Sequence, residues 1–180
     1  MKKRVICLLA DGFEEIETVT PIDLLRRAGI EVVVAAVGSG LVATGRSLIT
    51  MAADVLLDEA LASGDFDLLI IPGGPAVGAL RKDGRITALA RDFHRDGKRI
   101  AAICAGPLVL HDAGLLAGRH FTAHASVREE LPAALDDRVV EDGTLITSRG
   151  AGTAVDFALA IITALVGAAA ADDVAQAIMA

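Results

Sequence analysis

The chain alternates short, mainly apolar runs with longer segments in which apolar residues recur at helical spacing. Short runs of Val, Leu, Ile and Ala with few polar positions are typical of strands buried on both faces of a sheet. They predict strands at residues 5–10, 31–37, 68–71 and 99–103. The segments between them predict helices at residues 14–27, 85–95 and 107–113, the first with a kink or a second start at Pro21.

Weaker patterns cover the rest of the chain. An edge strand is predicted at residues 48–51 and a short strand at residues 121–122. Apolar residues flank the dipeptide Asp142-Gly143, which is typical of a hairpin turn, so residues 139–140 and 145–147 are predicted to pair. Helices are predicted at residues 153–166 and 170–180.

Strands that alternate with helices imply an α/β fold, in which a mostly parallel sheet is covered by helices on both faces. Residues 1–180 show no internal repeat, low-complexity block or linker, so we expect a single domain. Sheets of this type bind ligands beyond the carboxyl ends of their strands. Functional residues are therefore expected in the loops after Ala10, Ile71, Ile103 and Thr122.

Composition narrows the possible functions. The formal net charge is −7 and aromatic residues make up only 3%, so the chain lacks the basic patch and stacking rings that nucleic-acid binding requires. The amino-terminal segment has no long apolar run typical of a secretory signal, and the longest uncharged run, residues 157–171, is too short to span a bilayer. Two cysteines are expected as free thiols in a reducing compartment. We therefore expect a cytoplasmic protein that binds neither nucleic acid nor membrane.

Cys104 is the strongest candidate for chemistry. It directly follows a predicted strand and has the small neighbours Ala102, Ala105 and Gly106, as a nucleophile on a tight strand-to-helix turn requires. The start of the following helix is expected to lower the pKa of the thiol and favour thiolate. The alternative is a small buried hydrophobic residue, which is how Cys7, in the middle of a strand, is interpreted.

Two glycines follow the neighbouring buried strand, in the segment Pro72-Gly73-Gly74-Pro75. Glycine lets backbone N–H groups approach a ligand closely, so Gly73 and Gly74 are candidate substrate-binding residues. The Gly74 amide, together with that of Ala105, is a candidate oxyanion hole. A simple tight turn explains the same residues equally well.

Glu17 and His124 are candidate proton carriers. Glu17 lies one turn into a helix that follows the first strand, and a carboxyl group beside a thiolate would keep its proton. A solvated surface glutamate is the alternative, and Glu14 and Glu15 are assigned only to the helix dipole. His124 follows a short strand, where general acid–base catalysis and an ordinary loop histidine are equally compatible with its position. No cysteine or histidine spacing predicts a metal site, and no glycine-rich phosphate loop predicts a cofactor.

Several motifs, in order over nearly the whole chain, carry a family resemblance. They are Gly12-Phe13-Glu14-Glu15-Ile16-Glu17-Thr18-Val19, Arg26-Arg27-Ala28-Gly29, Leu69-Ile70-Ile71-Pro72-Gly73-Gly74, Ala101-Ala102-Ile103-Cys104-Ala105-Gly106-Pro107, Thr147-Ser148-Arg149-Gly150-Ala151-Gly152-Thr153 and Phe157-Ala158-Leu159-Ala160-Ile161. With these motifs the chain resembles the ThiJ/PfpI superfamily, in particular its DJ-one branch. The resemblance implies a flavodoxin-like three-layer sandwich that forms a homodimer.

The resemblance also implies roles for individual residues. Cys104 matches the family's nucleophile, Glu17 its protonated carboxyl partner and His124 its histidine, while Gly74 and Ala105 match the oxyanion-hole amides. Arg27 and Arg46 occupy family positions that would line an anion-attracting pocket near the cysteine. The chain departs from the family's peptidase and glutaminase branches, because Ala105 and Ser126 replace a histidine and a glutamate typical of those branches. Ala125 also stands where a proline often follows the histidine.

Two functions follow from the resemblance. The first is a cofactor-independent glyoxalase or deglycase, which converts 2-oxoaldehydes such as methylglyoxal to hydroxy acids, or repairs early glycation adducts, through Cys104. The second is a non-enzymatic redox sensor or stress chaperone in which Cys104 is oxidised near Glu17. A cysteine peptidase or amidase ranks below both.

Overall fold

A seven-stranded sheet forms the centre of the computed structural model, which describes residues 2–180. The strands in chain order are β1 (Arg4–Leu9), β2 (Glu31–Ala36), β3 (Val42–Thr44), β4 (Thr50–Ala52), β5 (Val55–Leu56), β6 (Leu68–Ile71), β7 (Arg99–Ile103), β8 (Val139–Asp142) and β9 (Leu145–Ser148). Strands β3 and β4 form a separate two-stranded sheet. The helices are α1 (Glu15–Arg27), α2 (Leu57–Ala62), α3 (Val77–Lys82), α4 (Gly84–Arg95), α5 (Pro107–Asp112), α6 (Ala154–Val166) and α7 (Ala168–Ala177).

The main sheet has the strand order β5-β2-β1-β6-β7-β9-β8. Every neighbouring pair is parallel except β8 and β9, which form an antiparallel hairpin at one edge. Helix α1 packs with α6, which packs with α7, whereas α3, α4 and α5 pack with one another. The predicted fold class, a mostly parallel sheet covered by helices, is therefore confirmed.

The central strands are the apolar runs of the sequence. In β1, β6 and β7 nearly every residue is buried, because helices cover both faces of the sheet. Parallel pairing places the carboxyl ends of these three strands at one edge, where Leu9, Ile71 and Ile103 lead into the loops that carry the candidate residues. Cys7, in the middle of β1, is completely buried, as expected of a core residue.

The strand predicted at residues 48–51 is confirmed only at Thr50 and Met51, which belong to β4. Leu48 lies in a tight turn with φ 67° and is 83% exposed, and the strand begins only at Thr50. That strand, β4, pairs with β3 in the small separate sheet, while the edges of the main sheet are β5 and β8. An apolar pair, Leu48 and Ile49, imitates a strand in the sequence although neither side chain enters the core.

Other boundaries differ less. Of the strand predicted at residues 121–122, only Thr122 forms a bridge, to Leu135. Helix α1 runs through Pro21 as one helix, so no second helix starts there. The hairpin of β8 and β9 is confirmed, with Gly143 in the turn at φ 62°. Within residues 2–180 no helix combines the length and the apolar character that crossing a bilayer requires.

Candidate active site at the carboxyl ends of the parallel strands

The backbone holds Cys104 in an unusual conformation directly after β7. Its φ is 63°, a region that costs a non-glycine residue on the order of 1 kcal/mol or more. Its N–H donates to the carbonyl of Ser148 at 2.8 Å, and its carbonyl accepts from the N–H of His124 at 2.9 Å. A Cβ on Gly106 would lie 2.5 Å from the carbonyl oxygen of Ile71, so only glycine fits two residues later. Cys104 thus lies on a tight turn that the surrounding chain keeps strained.

The buried carboxyl group of Glu17 lies next to this thiol. It is only 1% exposed, its Oε2 accepts the N–H of Gly73 at 3.0 Å, and both Oε2 and Cβ of Cys104 lie within 3 Å of the position that a Cβ on Gly73 would take. Its own backbone N–H donates to Oε2 of Glu14, which caps the start of α1, at 2.8 Å. A Cβ on Gly73 would overlap Oε2 of Glu17 and lie 2.7 Å from Cβ of Cys104. The missing side chain of Gly73 therefore allows carboxyl group and thiol to meet.

The ionisation of these two groups is coupled. Burial raises the pKa of Glu17 to about 7; the hydrogen bond with Cys104 opposes this shift, and the charge of Glu14 adds to it. Burial, and next the charge of Glu17, raise the pKa of Cys104 to about 12. Two anions in one buried space repel, so the pair keeps one proton through neutral pH.

The expected lowering of the Cys104 pKa by the following helix is therefore wrong for the thiol taken alone. Helix α5 spans only Pro107–Asp112, and burial and the Glu17 carboxylate raise the pKa by more than the Ala105 and Gly74 amides lower it. A thiolate at neutral pH requires a proton on Glu17. The ionisation of the thiol therefore depends on that of the carboxyl group.

The backbone amides of Ala105 and Gly74 lower the pKa of the Cys104 thiol, against the larger effects of burial and of Glu17. Their role as an oxyanion hole stays a prediction. Gly74 has φ 90°, and a Cβ there would lie 2.6 Å from the carbonyl oxygen of Gly12. Gly73, predicted to bind substrate, instead donates its N–H to Glu17 and so holds the carboxyl group.

The ring of His124 forms hydrogen bonds with Ser126, two residues further on in the same turn. Nδ1 accepts the backbone N–H of Ser126 at 3.1 Å and lies 2.8 Å from its Oγ. An acceptor at Nδ1 leaves the proton of the neutral ring on Nε2. The ring is exposed, whereas the backbone N–H of the same residue donates to the carbonyl of Cys104. His124 therefore reaches Cys104 through its backbone.

Only one of the two arginines assigned by resemblance acts on the site. The positive charge of Arg46 lowers the pKa of Glu17. Arg27 instead pairs with Asp23, one turn earlier on α1, with Nε 3.0 Å from both carboxylate oxygens. Within one chain the structure does not bring Arg27 to the cysteine.

Sequence reasoning missed the buried carboxylates of Glu14 and Glu15. Both are at most 9% exposed, although Ile16 and Val19 on the same helix are 53% and 48% exposed. Glu14 caps α1, and Glu15 accepts the N–H of Ser47 at 2.7 Å through Oε1. An acidic run in a first turn gives no sign of burial. Glu15 in particular is enclosed by a turn far along the chain, which local sequence does not show.

The fold and this geometry define an α/β protein with a cysteine on a strained strand-to-helix turn. The sequence model of the DJ-1/PfpI family matches residues 3–164. The chain therefore belongs to the DJ-1/PfpI family, and its similarity to DJ-1 proteins supports the DJ-one branch.

The chain is similar to individual relatives over most of its own length and of theirs. The chain is 38% identical to Protein dj-1beta of Drosophila melanogaster over 99% of this chain and 98% of the relative. The crystal structure of Drosophila melanogaster DJ-1beta superposes with a TM-score of 0.95, covering 99% of this chain and 98% of that one. A protein named as a deglycase, from Thermococcus kodakarensis, is 36% identical over 83% of this chain and 91% of its own. A structure named oxidised DJ-1 of Toxoplasma gondii is 34% identical, with a TM-score of 0.92 and 98% of both chains covered.

Proposed function

We propose that the chain is a cofactor-independent enzyme that acts on 2-oxoaldehydes or early glycation adducts through Cys104. The observation that carries the proposal is the close approach of the buried Glu17 carboxyl group to Cys104 on its strained turn, which the absent side chain of Gly73 allows. The deglycase name of the Thermococcus kodakarensis relative supports the class of reaction. Methylglyoxal, which is converted to lactate, is the simplest substrate of this class.

The first step joins sulfur to the aldehyde carbon. With the shared proton on Glu17, the Cys104 thiolate adds to the carbonyl and forms a C–S bond, and the carbonyl electron pair moves to oxygen. The amides of Gly74 and Ala105 stabilise that oxyanion. Glu17 then delivers its proton to the oxygen, which gives a hemithioacetal.

The next steps move hydrogen within the substrate. The Glu17 carboxylate removes the proton from the former aldehyde carbon, an enediol forms, and reprotonation at the neighbouring carbon gives a lactoyl thioester. The Nε2–H of His124 is available to donate to the second carbonyl oxygen of the substrate. Water finally cleaves the thioester, which releases lactate and returns the thiol. The overall reaction consumes one water and needs no oxidant.

Early glycation adducts are candidate substrates for the same site. A 2-oxoaldehyde adds reversibly to an amine or a thiol to give an aminocarbinol or a hemithioacetal, and either adduct can release the free 2-oxoaldehyde to the enzyme. Both activities then begin with the same addition to Cys104.

Lactate formation from methylglyoxal tests the proposal. Cys104→Ala is expected to lower kcat/KM by about 10³-fold or more, because it removes the sulfur that adds to the aldehyde. Cys7→Ala is the matched control, since it removes a thiol from the core and leaves the site intact. Full turnover by Cys104→Ala would end the proposal.

A redox role is the second candidate. The structure named oxidised DJ-1 of Toxoplasma gondii favours it, and here Cys104 is partly exposed beside donors that would stabilise an oxidised, anionic sulfur. Peroxide would oxidise the thiolate to a sulfenic acid and be reduced to water, and a second peroxide would give the sulfinate. Intact mass after mild peroxide treatment is expected to show a two-oxygen adduct in the wild type but not in Cys104→Ala. Absence of that adduct in the wild type rules the role out.

We further propose that two copies associate, and that they do so in the cytoplasm, where both free cysteines would stay reduced. Ile16 and Val19 on α1 are about half exposed, and Leu48 and Ile49 on the adjoining β3–β4 turn are 83% and 59% exposed. Light scattering is expected to give the mass of a dimer, and Val19→Glu the mass of a monomer. Leu61→Glu, on α2, is the control that should leave the dimer intact.

A further inference from the structure

The β3–β4 hairpin lies against the chain that follows β1. Just before the turn of the hairpin, the N–H of Gly12 donates to the carbonyl of Thr44, and the N–H of Thr44 donates to Oδ1 of Asp11, both at 2.8 Å. In the turn, the N–H of Arg46 donates to the carbonyl of Phe13 at 2.9 Å. Hydrogen bonds at its turn end therefore hold the hairpin beside the loop that begins the candidate active site.

Glu15 supplies the side chain that holds the turn. Its Oε1 accepts the N–H of Ser47 at 2.7 Å, and a Cβ on Gly45 would overlap that oxygen, so the carboxylate is enclosed by the turn. The residue is 8% exposed. Burial raises its pKa, but hydrogen bonds from backbone amides, including those of Ser47 and Ile49, lower it overall, so the group is ionised. Burying a carboxylate costs free energy unless hydrogen bonds replace those to water, and here the turn supplies them.

Arg46 lies between the two turn residues that enclose this carboxylate, Gly45 and Ser47. Within residues 2–180 its guanidinium forms no ion pair, unlike the arginines that pair with aspartates elsewhere on the surface. Its charge nevertheless acts on Glu17.

We propose that Glu15 is a positioning residue: by holding the hairpin turn against the start of α1, it keeps Arg46 beside the Glu17–Cys104 pair. The proposal rests on the reactive Cys104 thiol of the proposed function and on no particular substrate. Glu15 touches neither the sulfur nor a reacting atom and acts through Arg46.

The expected consequence concerns the pH at which the pair loses its first proton. Glu17 is faced by Cys104, by the negative charge of Glu14 and by the positive charge of Arg46. The charge of Arg46 stabilises the negative charge that the pair acquires in this ionisation. When Arg46 moves away, the first ionisation of the pair, and the alkylation of Cys104 that begins with it, shift to higher pH.

The rate of Cys104 alkylation by iodoacetamide, measured from acid to alkaline pH, tests the proposal on the full chain. Glu15→Ala and Arg46→Met are each expected to move the midpoint of this profile upwards by about half a pH unit, a factor of about 3 in proton affinity. Glu15→Gln keeps an oxygen that accepts from Ser47 and should stay near the wild type. The double variant Glu15→Ala/Arg46→Met should shift no further than Arg46→Met alone.

Two controls separate positioning from loss of structure. Asp67→Ala removes a comparable carboxylate, which accepts the N–H of Arg4 at the opposite ends of the strands, and should leave the midpoint unchanged. Alkylation of Cys7, which is completely buried, reports unfolding in the same sample. If Glu15→Ala does not fold, Gly45→Ala displaces the same carboxylate and is expected to give the same shift.

An unchanged midpoint in a folded Glu15→Ala protein overturns the proposal, and so does a double variant in which the two single shifts add. Lactate formation plays no part in this readout. A wild type without turnover therefore contradicts the glyoxalase proposal and leaves this one to be decided by the alkylation profiles.

Discussion

Glu17 links protonation to stability because its carboxyl group ionises near pH 7 when folded and near pH 4.5 in water. Between these values the unfolded chain has lost this proton and the folded chain keeps it, so the folded state binds more protons. The free energy of unfolding therefore falls as pH rises through this window. Below the window both states are protonated, and the full benefit of the buried neutral carboxyl group is present.

We expect the free energy of unfolding of the wild type to fall by ~2 kcal/mol more between pH 4.5 and pH 7 than that of Glu17→Gln, since glutamine does not titrate. Urea unfolding at both pH values measures the difference. Glu141→Gln, an exposed glutamate on β8, should retain the dependence of the wild type. Equal slopes for Glu17→Gln and the wild type would show that Glu17 ionises normally in the folded protein.

Gly73 is a position where an added methyl group would overlap both Glu17 and Cys104. Gly73→Ala places its Cβ on Oε2 of Glu17 and 2.7 Å from Cβ of Cys104, so one of the two must move. We expect a loss of ~1–3 kcal/mol in the free energy of unfolding, and a lower rate of Cys104 alkylation at neutral pH. Gly78→Ala is the control: nothing lies within 4 Å of its added Cβ, and in helix α3 alanine should stabilise by up to ~1 kcal/mol. Equal stability of the two variants would contradict the close approach.

At the scale of elements, short helices are held together by charged side chains. Arg81, on α3, forms a two-pronged pair with Asp112 at the end of α5, with distances of 2.7 and 2.9 Å, and also contacts Glu130. Neither α3 nor α5 exceeds six residues, so neither helix is stable by itself. The pair fixes α5, and with it the chain that follows Cys104.

Arg81→Met is therefore expected to lower the free energy of unfolding by ~1–2 kcal/mol, because it leaves a half-buried Asp112 without its partner. Arg95→Met removes pairs with Asp92 and Asp96 whose arginine is 68% exposed, and should cost no more than ~0.5 kcal/mol. Thermal and urea unfolding compare the two. A loss for Arg81→Met no larger than for Arg95→Met would mean that solvent screens both pairs alike.

The sequence predicted those elements whose character is local. Apolar runs predicted β1, β6 and β7, and the position of Cys104 after a strand predicted its turn. The residues that depend on distant partners were harder to predict. Glu15 is buried only because the β3–β4 hairpin encloses it, and Ile16 and Val19 are exposed although their spacing suggests a core face. Leu48 was placed in a strand because local pattern does not show which apolar residues remain outside.

At the scale of the whole molecule, the sequence predicted where the ring of His124 lies but not how it is oriented. Its place after Thr122 suggested acid–base chemistry, whereas its orientation is decided by the Ser126 amide two residues on. The ionisation of Cys104 likewise depends on how deeply the assembled fold buries it. Local sequence therefore predicted where the site lies, and tertiary contacts determine the protonation state of the groups in it.

The peptide group of Cys104 is held on one side by Ser148 and on the other by His124, two segments that are made after it. A ribosome-bound chain that ends before β9 lacks the acceptor for the Cys104 amide and cannot complete the turn. The thiol should consequently acquire its proposed reactivity only when the long-range pairing of β7 with β9 is finished. Chains that end before β9 would then carry an ordinary cysteine, so reactivity at this one atom would report that synthesis and folding have both passed β9.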